Sequence, residues 1–407
     1  MNIWITANAD FPEGRGGTPR IRNLALGLAE RGHDVNLFIP YAAGYWTKGR
    51  NTQRAGVHGG VTFRFLNNST ERPRTEPGVA LAKLAGQSKL LYKLFLEKRP
   101  DCIIIYNWSF YDVGPLVMLA RKLGKIVIFD VTDERFDVHA LGWQKSALRR
   151  INAWQAERLD RPLFQKATGF MAVSRYLLEK AKAFAGTHPM LLVPLIADLR
   201  KDPPLQTPDP NGPPTLAYVG SFIPDEGLEM LIEAVAIVRD EGHPDVRCYL
   251  IGGANDPDYH AVLTSLVGEM ELTKNIVFLP STNHAELIDL LSTMTLLVLP
   301  RPQTVVSRAG FPGKLSEYFS ARRPVVTTLF GDIGEYIVDG KTGYVCPEYN
   351  AASYARTLKR ALGDRKRHTA IASEAFRMAE SQFDVPHVAA KVEQFILSVS
   401  RRFDESR

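Results

Sequence analysis

The segment Leu299–Val326 reads LPRPQTVVSRAGFPGKLSEYFSARRPVV. It joins the end of an apolar run to a turn that contains glycine and proline. The next residues predict an amphipathic helix over Lys314–Ser320, and a second apolar run, Pro324–Thr328, follows it. A strand, a turn, a helix and a strand in this order form a βαβ unit. The unit predicts a parallel sheet with the turn at its carboxyl edge.

The same alternation of short apolar runs and helical stretches extends along the whole chain. Strands that are apolar without interruption suit a parallel sheet covered on both faces. We therefore predict an α/β protein with two Rossmann-like, doubly wound domains. The predicted strands are Met1–Thr6, Asp34–Ile39, Asp101–Tyr106, Lys125–Asp130, Thr215–Val219, Arg247–Ile251, Ile276–Leu279, Leu296–Leu299 and Pro324–Thr328, and the predicted helices are Thr18–Arg31, Val113–Leu123, Gly227–Asp240, Pro257–Glu269, Ala285–Ser292 and Lys314–Ser320.

A proline-rich segment, DLRKDPPLQTPDPNGPPT at 198–215, separates the two sets of elements. Proline at this density is incompatible with a helix or a central strand, so the segment is the predicted linker. The predicted domains are 1–197 and 216–384, which face each other across a cleft. An amphipathic helix at 385–403 either caps the second domain or packs back on the first.

The composition fits a globular protein of two cores. The chain has 407 residues, of which 45% are hydrophobic and 23% charged. Its start lacks the pattern of a signal peptide and no apolar run approaches membrane-spanning length, so we predict a cytoplasmic protein. The three cysteines lie far apart and the histidines show no paired spacing, so neither a disulfide framework nor a metal site is predicted.

The positive charge lies in the first half of the chain. The first 195 residues carry 28 Lys and Arg against 16 Asp and Glu, whereas the rest carry 22 against 28. Such a field attracts an anionic membrane surface or a phosphorylated acceptor, and a solvated basic surface explains it equally well. Nucleic acid is not a predicted partner, because exposed aromatic residues are not interleaved with the basic ones as base stacking requires.

Two glycine-bearing loops have the chemistry of phosphate sites. Gly16 and Gly17 precede the helix that begins near Thr18, where free backbone amides favour an anion. In the second loop, Gly310–Gly313 is followed by Lys314, which suits a phosphate, and by Glu317, which suits the two hydroxyls of a ribose. Ordinary turns with surface charges remain the alternative interpretation of both loops.

At this point the sequence resembles family 4 of the retaining glycosyltransferases with the GT-B fold, especially its surface-polysaccharide branch. The resemblance implies a nucleotide-sugar donor held by the second domain, an acceptor held by the first, and no required metal. It extends over most of the chain. The segments that carry it are LALGLAERGHDV near the start, FDVTDERFD at 129–137, ATGFMAVSRYL at 167–177, LAYVGSFIPDEGLEMLIEA at 216–234, FPGKLSEYFSARRPVV at 311–326 and GDIGEYIVDGKTGYV at 331–345.

The resemblance also implies roles for individual residues. Glu317 matches the glutamate that binds the donor ribose, and Gly16 and Gly17 match the glycines that face the diphosphate. The loop that binds the donor sugar and phosphates is matched by Gly310, Phe311, Pro312, Gly313 and Lys314.

Three positions depart from the family pattern. Many members carry an arginine and a lysine five residues apart after the first strand of the second domain, where this chain has Ser221 and Glu226. Many also carry a second glutamate at the position of Ala309. These losses leave Arg301 and Arg308 as the candidate cations for the diphosphate, with Ser221 still at the donor site.

A catalytic residue is harder to assign. In a retaining front-face displacement, as proposed for this family, the leaving diphosphate itself accepts the proton of the acceptor hydroxyl. The carboxylates at the end of a predicted strand, Asp130, Asp133 and Glu134, are the candidate catalytic residues, with a solvated or capping role as the alternative. His33, His139 and His284 are predicted to be structural.

Two stretches have apolar residues at helical spacing beside basic ones, Val79–Arg99 and Lys145–Lys166. Either stretch could lie on an anionic leaflet at the inner face of the cell membrane, and core packing explains the same pattern.

The predicted function is transfer of a sugar from a nucleotide-diphosphate sugar, with UDP the commonest nucleotide in the family, to a glycan, lipid-linked or small-molecule acceptor. A nucleotide-sugar epimerase of the same architecture and a non-catalytic nucleotide-sugar-binding protein are the alternatives.

Overall fold

The computed structural model forms two compact units. The first contains Met1–Ala197 together with Phe383–Arg407, and the second contains Asp198–Gln382. The structure describes residues 1–14, 16–42, 44, 51–73, 75–97, 99–106, 110–134, 158, 161–200, 206, 208–209, 212–253 and 257–405. His139 and most of Lys145–Lys166 lie outside the described residues.

The described part of the first unit contains one eight-stranded sheet. Its order is β3-β4-β2-β1-β5-β6-β7-β8, and every neighbouring pair is parallel except the antiparallel pair of β3 and β4. The strands are β1 (Asn2–Ala7), β2 (Asp34–Ile39), β3 (Ala55–His58), β4 (Val61–Phe65), β5 (Cys102–Tyr106), β6 (Ile126–Val131), β7 (Gly169–Ala172) and β8 (Met190–Leu192).

Helices of the first unit cover this sheet, and the last helix of the chain is one of them. Gly27 allows its close approach, because a Cβ on Gly27 would lie 2.8 Å from Val385 and from Ala389. Glu393 on the same helix accepts from His33 at 2.9 Å and also pairs with Arg31. The helices are α1 (Thr18–Glu30), α2 (Glu76–Glu97), α3 (Phe110–Lys122), α4 (Arg161–Phe164), α5 (Arg175–Ala185) and, at the end of the chain, α13 (Val385–Glu405).

The second unit contains a parallel six-stranded sheet in the order β11-β10-β9-β12-β13-β14. This is the doubly wound order, in which the winding direction changes between β9 and β12. The strands are β9 (Thr215–Ser221), β10 (Arg247–Gly253), β11 (Ile276–Pro280), β12 (Leu296–Leu299), β13 (Val325–Thr328) and β14 (Tyr344–Cys346).

Several helices of the second unit bury apolar residues in one core with that sheet. Leu231 and Val235 of the first of them are fully buried, one helical turn apart. The helices are α6 (Leu228–Asp240), α7 (Pro257–Glu269), α8 (His284–Ser292), α9 (Val305–Ala309), α10 (Leu315–Ser320), α11 (Ala351–Gly363) and α12 (His368–Phe383).

The two predicted parallel sheets are confirmed, and each predicted strand or helix is present within a few residues of its predicted bounds. The sequence analysis did not identify the hairpin of β3 and β4, or the elements β7, α5, β8, α9, β14, α11 and α12. The pair Gly59–Gly60 joins β3 to β4 with both glycines at positive φ, and two glycines between short β-rich runs were an available hairpin signal.

Candidate functional site

The carboxyl edge of the second sheet brings three charged side chains together where the winding direction changes. Glu226 lies in a 3-10 turn, Pro224–Glu226, that follows β9, and Arg301 lies two residues beyond the end of β12. Lys314 immediately precedes α10. In doubly wound sheets this crevice outside the strand ends is the usual ligand position.

Glu226 is the carboxylate at the centre of the cluster. One of its oxygens, Oε1, accepts from Arg301 Nη2 at 2.6 Å, and the other, Oε2, accepts from Lys314 Nζ at 2.5 Å. All three side chains are nearly buried, with exposed fractions of 6% for Glu226, 14% for Arg301 and 10% for Lys314. Burial alone raises the pKa of Glu226, but Lys314 and Arg301 outweigh it and lower this pKa to about 2. The carboxylate is therefore ionised at neutral pH.

The side chain of Lys314 also contacts Tyr218 and lies over Gly220. Its Nζ donates to Tyr218 Oη at 3.0 Å and lies 4.2 Å from the centroid of the Tyr218 ring. Gly220 leaves room for it, since a Cβ there would stand 2.7 Å from Nζ. Burial lowers the pKa of Lys314 to about 8, against the opposing effect of Glu226. The side chain remains a cation at neutral pH.

Arg301 has a buried donor that a ligand can use. Its Nε–H is buried and has no hydrogen-bond partner within the described part of the chain. A buried donor without an acceptor costs about 1–3 kcal/mol, which an incoming anionic oxygen would recover. Arg308, the other candidate cation, is exposed at the end of α9, so the structure brings Arg301 into the cluster and leaves Arg308 outside it.

The loop of Gly310–Gly313 lies beside this cluster and leads into α10. Phe311 stacks edge-on against Tyr336 at 5.4 Å, while Pro312 is buried and its carbonyl accepts from the Leu315 amide. Gly313 faces open space, since a Cβ there would meet no atom within 4 Å. Backbone at this end of the loop is thus open to a ligand.

Glu317 lies in the first turn of α10 and is half-buried. Ser316 Oγ donates to its Oε2 at 2.7 Å. The Glu317 carboxylate is also close enough to Lys314 to support the charged form of that lysine. The structure therefore brings Glu317 and Lys314 together, as the spacing in the sequence predicted.

An aromatic cavity of about 370 Å³ opens at the ends of β9, β10 and β11. Its walls include His260 between Phe222 and Phe278, with ring centroids 6.1 Å and 5.0 Å from His260. Aromatic rings that line a cavity can pack against a planar ligand group. Ser221, the last residue of β9, is next to Phe222 and contributes its carbonyl to a hydrogen bond from Tyr218.

In the first unit, Asp130 forms a buried ion pair with Arg20. Arg20 on α1 donates to both carboxylate oxygens, at 2.8 and 2.7 Å, and its Nη1 donates to the Val193 carbonyl at 2.8 Å. Asp130 is only 2% exposed. Burial works against the charge of Arg20, but Asp130 outweighs it and raises the pKa of the guanidinium. This geometry favours a role for Asp130 in positioning α1 against β6.

The other predicted residues of this edge lie in different surroundings. Gly16 has a φ of +61°. Gly17 immediately precedes α1, and a Cβ on Gly17 would stand 2.1 Å from the Tyr106 hydroxyl oxygen. Asp133 is exposed and accepts from Thr132 Oγ1 at 3.3 Å, whereas Glu134 is buried. Of the three candidate carboxylates, Asp133 is the one open to solvent.

The sequence analysis noted that Glu226 stands where many family members carry a lysine, but it did not identify the contacts that Glu226 makes. Its partners are 75 and 88 residues away along the chain, and such pairs leave no local signal. Tyr106 and the cavity residue His260 were not predicted either. For Tyr106 a partial signal existed, because it ends a predicted strand and was therefore expected at the carboxyl edge of the sheet.

Two family models together match most of the chain. The model described as Glycosyl transferase 4-like domain matches residues 15–195, and the one described as Glycosyl transferases group 1 matches 203–378. The first match contains seven of the eight strands described for the first sheet, and the second contains all six strands of the second sheet.

Among curated relatives, the chain is 22% identical over 396 residues to the glycogen synthase of Mycobacterium tuberculosis, covering 95% of this chain and 92% of the relative. It is 24% identical over 385 residues to the GDP-mannose-dependent alpha-(1-6)-phosphatidylinositol monomannoside mannosyltransferase of Mycolicibacterium smegmatis, covering 89% and 90%. Among solved structures, Anabaena HepE in complex with UDP-glucose superposes with a TM-score of 0.68 at 18% identity, covering 98% of this chain and all of that one.

Proposed function

Since this chain belongs to the family 4-like glycosyltransferases of GT-B fold, we propose that it transfers a sugar from a UDP-sugar to a glycan or lipid-linked acceptor with retention of configuration. The observation that carries the proposal is the pair of buried cations, Arg301 and Lys314, outside the strand ends where the winding direction of the second sheet changes.

Charge and hydrogen bonding at this edge support a phosphate-bearing donor. The ammonium of Lys314 and the unpartnered Nε–H of Arg301 are donors for phosphate oxygens, and charged hydrogen bonds are the strong ones. The Glu317 carboxylate, one turn into α10, can accept from the two ribose hydroxyls. The cavity beside Phe222 and His260 is suited to the base.

UDP is proposed as the nucleotide because the HepE structure holds UDP-glucose. The mycobacterial mannosyltransferase, by its name, uses GDP-mannose, so a guanine nucleotide is the comparison that the experiment includes. A lipid-linked acceptor is proposed because the same relative acts on a phosphatidylinositol mannoside.

In the proposed reaction, the bond from the anomeric carbon to the diphosphate breaks while the acceptor oxygen bonds to the same face of that carbon. The acceptor proton passes to a departing phosphate oxygen. Lys314 and Arg301 stabilise the negative charge that grows on the diphosphate, which is the main electrostatic demand of the step. We propose that no metal ion takes part.

The relatives are named as glycosyl-transferring enzymes, which favours transfer over the epimerase and the non-catalytic binding protein. The decisive experiment incubates the protein with UDP-glucose and other nucleotide sugars, with and without acceptor candidates, and measures released nucleoside diphosphate. We expect release only with acceptor, at a rate that a chelator leaves unchanged. Sugar isomerisation without release would refute the proposal.

Peripheral membrane contact is proposed for α2. Leu90 and Leu94 of this helix are buried in the first unit, but its other face exposes large apolar side chains, with Leu81 at 69% and Phe95 at 58%. Leu84, Tyr92 and Leu96 are exposed on the same helix. An exposed apolar face in a strongly basic half of the chain suits an anionic lipid surface. No helix among the described residues is long and apolar enough to span a bilayer.

Flotation with vesicles of phosphatidylglycerol and phosphatidylcholine tests this contact. We expect salt-sensitive binding that the double substitution Leu81→Ser with Phe95→Ser abolishes. Val262→Ser is the control, since Val262 is 53% exposed on α7 in the second unit. Equal binding by all three proteins would exclude α2 as the contact.

A further inference from the structure

Glu226 reverses the charge that the family pattern places at its position. Many members of the family that the sequence resembles carry a lysine five residues after the position of Ser221, to neutralise the diphosphate, and this chain carries a carboxylate there. The carboxylate faces inward: both oxygens of Glu226 are bound to the two cations proposed to hold the phosphates.

The backbone fixes Glu226 in this place. Gly227, the next residue, adopts a φ of +72°, and a Cβ there would stand 2.0 Å from the Pro300 carbonyl oxygen. The turn is thus packed against the end of β12, directly beside Arg301. Tyr218 completes the enclosure, because its hydroxyl accepts from Lys314 and donates to the Ser221 carbonyl.

We propose that Glu226 is an internal counter-anion that competes with the second phosphate of a nucleoside diphosphate for Arg301 and Lys314, and so weakens the binding of donor and product. This inference rests on the proposed function and deepens it. Together, the Glu226 carboxylate, the Arg301 guanidinium and the Lys314 ammonium carry a single net positive charge. The diphosphate carries at least two negative charges.

Glu226 competes for both cations that are proposed to bind the phosphate, Arg301 and Lys314. Arg301 Nη2 and Lys314 Nζ already donate to Glu226 at 2.6 and 2.5 Å, so Glu226 already neutralises part of the positive charge that a phosphate oxygen meets, and only donors such as Arg301 Nε remain for it. Like charges at contact distance also repel in a partly dry crevice, where screening by water is weak. The expected benefit is rapid loss of the nucleotide product, since affinity differences act mainly on dissociation rates.

Calorimetry with UDP and UMP isolates the second phosphate, because base and ribose contacts are common to both nucleotides. We compare the wild-type protein with Glu226→Gln, which keeps the shape and removes the charge. Glu241→Gln is the matched control, since Glu241 is 54% exposed at the end of α6 and pairs with Lys359. Circular dichroism verifies folding of each variant, and GDP with GMP repeats the comparison for a guanine site.

In the wild-type and control proteins we expect UDP to bind no more than roughly tenfold tighter than UMP, less than two full charge-assisted contacts would give. In Glu226→Gln we expect that ratio to rise at least about tenfold, through tighter UDP binding. An unchanged or smaller ratio overturns the inference and leaves the proposed function standing. If Glu226→Gln does not fold, a wild-type ratio above about a hundredfold overturns it. Failure of all four nucleotides to bind removes the proposed function and this inference with it.

Discussion

The buried pair of Arg20 and Asp130 gives the sharpest test of residue roles in the first unit. Asp130 was a candidate catalytic residue, but its oxygens accept two bonds from Arg20 at 2.7 and 2.8 Å and it is 2% exposed. Asp130→Asn removes the negative charge and leaves the 11%-exposed guanidinium with an amide oxygen and the Val193 carbonyl. Breaking one side of a buried pair costs about 3–5 kcal/mol, because the remaining charge is uncompensated.

The assay can be confined to the first unit. All five tryptophans, from Trp4 to Trp154, belong to it, so tryptophan fluorescence during urea denaturation reports its unfolding. With a loss of about 3 kcal/mol or more, we expect the urea midpoint to fall by roughly 1 M or more. Glu97→Gln is the control, because Glu97 on α2 is exposed and pairs with Lys93 one turn away, a geometry that contributes about 0.5 kcal/mol or less.

The two roles of Asp130 give different results. If Asp130 positions α1, Asp130→Asn shifts the midpoint, and transfer activity at low temperature, where the variant is folded, remains within about an order of magnitude of the wild type. If Asp130 takes part in the chemistry, activity falls by about 10²-fold or more. A wild-type midpoint for Asp130→Asn would refute our reasoning about the ion pair.

Three further predictions concern both units. Arg301→Ala should raise the dissociation constant for UDP more than about tenfold by calorimetry, and an unchanged constant would exclude Arg301 from the donor site. Gly17→Ala should lower the fluorescence-detected urea midpoint, because the new Cβ would stand 2.1 Å from the Tyr106 hydroxyl, and a wild-type midpoint would contradict this. Because the pKa of Glu226 is lowered from 4.5 to about 2, its contribution to stability is complete above pH 4.5 and is lost as the pH falls toward 2. We expect this loss, about 3 kcal/mol, in acid titrations of the wild type followed by circular dichroism, and its absence in Glu226→Gln.

The sequence predicted those parts of the fold that have a local cause. Strands such as Leu296–Leu299 are apolar throughout, and Leu231 and Val235 repeat at helical spacing, so both types of element were identified close to their bounds. The hairpin of β3 and β4 was not predicted. Its strands are short, and β3 lacks a buried face, although the alternation of apolar and polar residues in β4, VTFRF, was a local signal.

The candidate site was predicted where its residues are neighbours along the chain. Lys314 and Glu317 lie one helical turn apart, so their proximity follows from the predicted helix. The bonds between Glu226 and Arg301, and between Arg20 and Asp130, join residues 75 and 110 positions apart. Their pairing depends on the order of strands in each sheet, which periodicity does not give.

Because Glu226 is bound to both Arg301 and Lys314, the effect of substituting either cation depends on the other members of the cluster. A carboxylate that is 6% exposed requires cations, and Arg301 and Lys314 are themselves too buried to lack an anion. Residues in one such network couple by about 0.5–3 kcal/mol, so their single substitutions do not add. A double-mutant cycle of Arg301→Ala and Glu226→Gln, read as UDP affinity, should therefore show Arg301 contributing more once the carboxylate is gone. If the two effects on UDP binding are additive, Glu226 and the phosphate do not share Arg301.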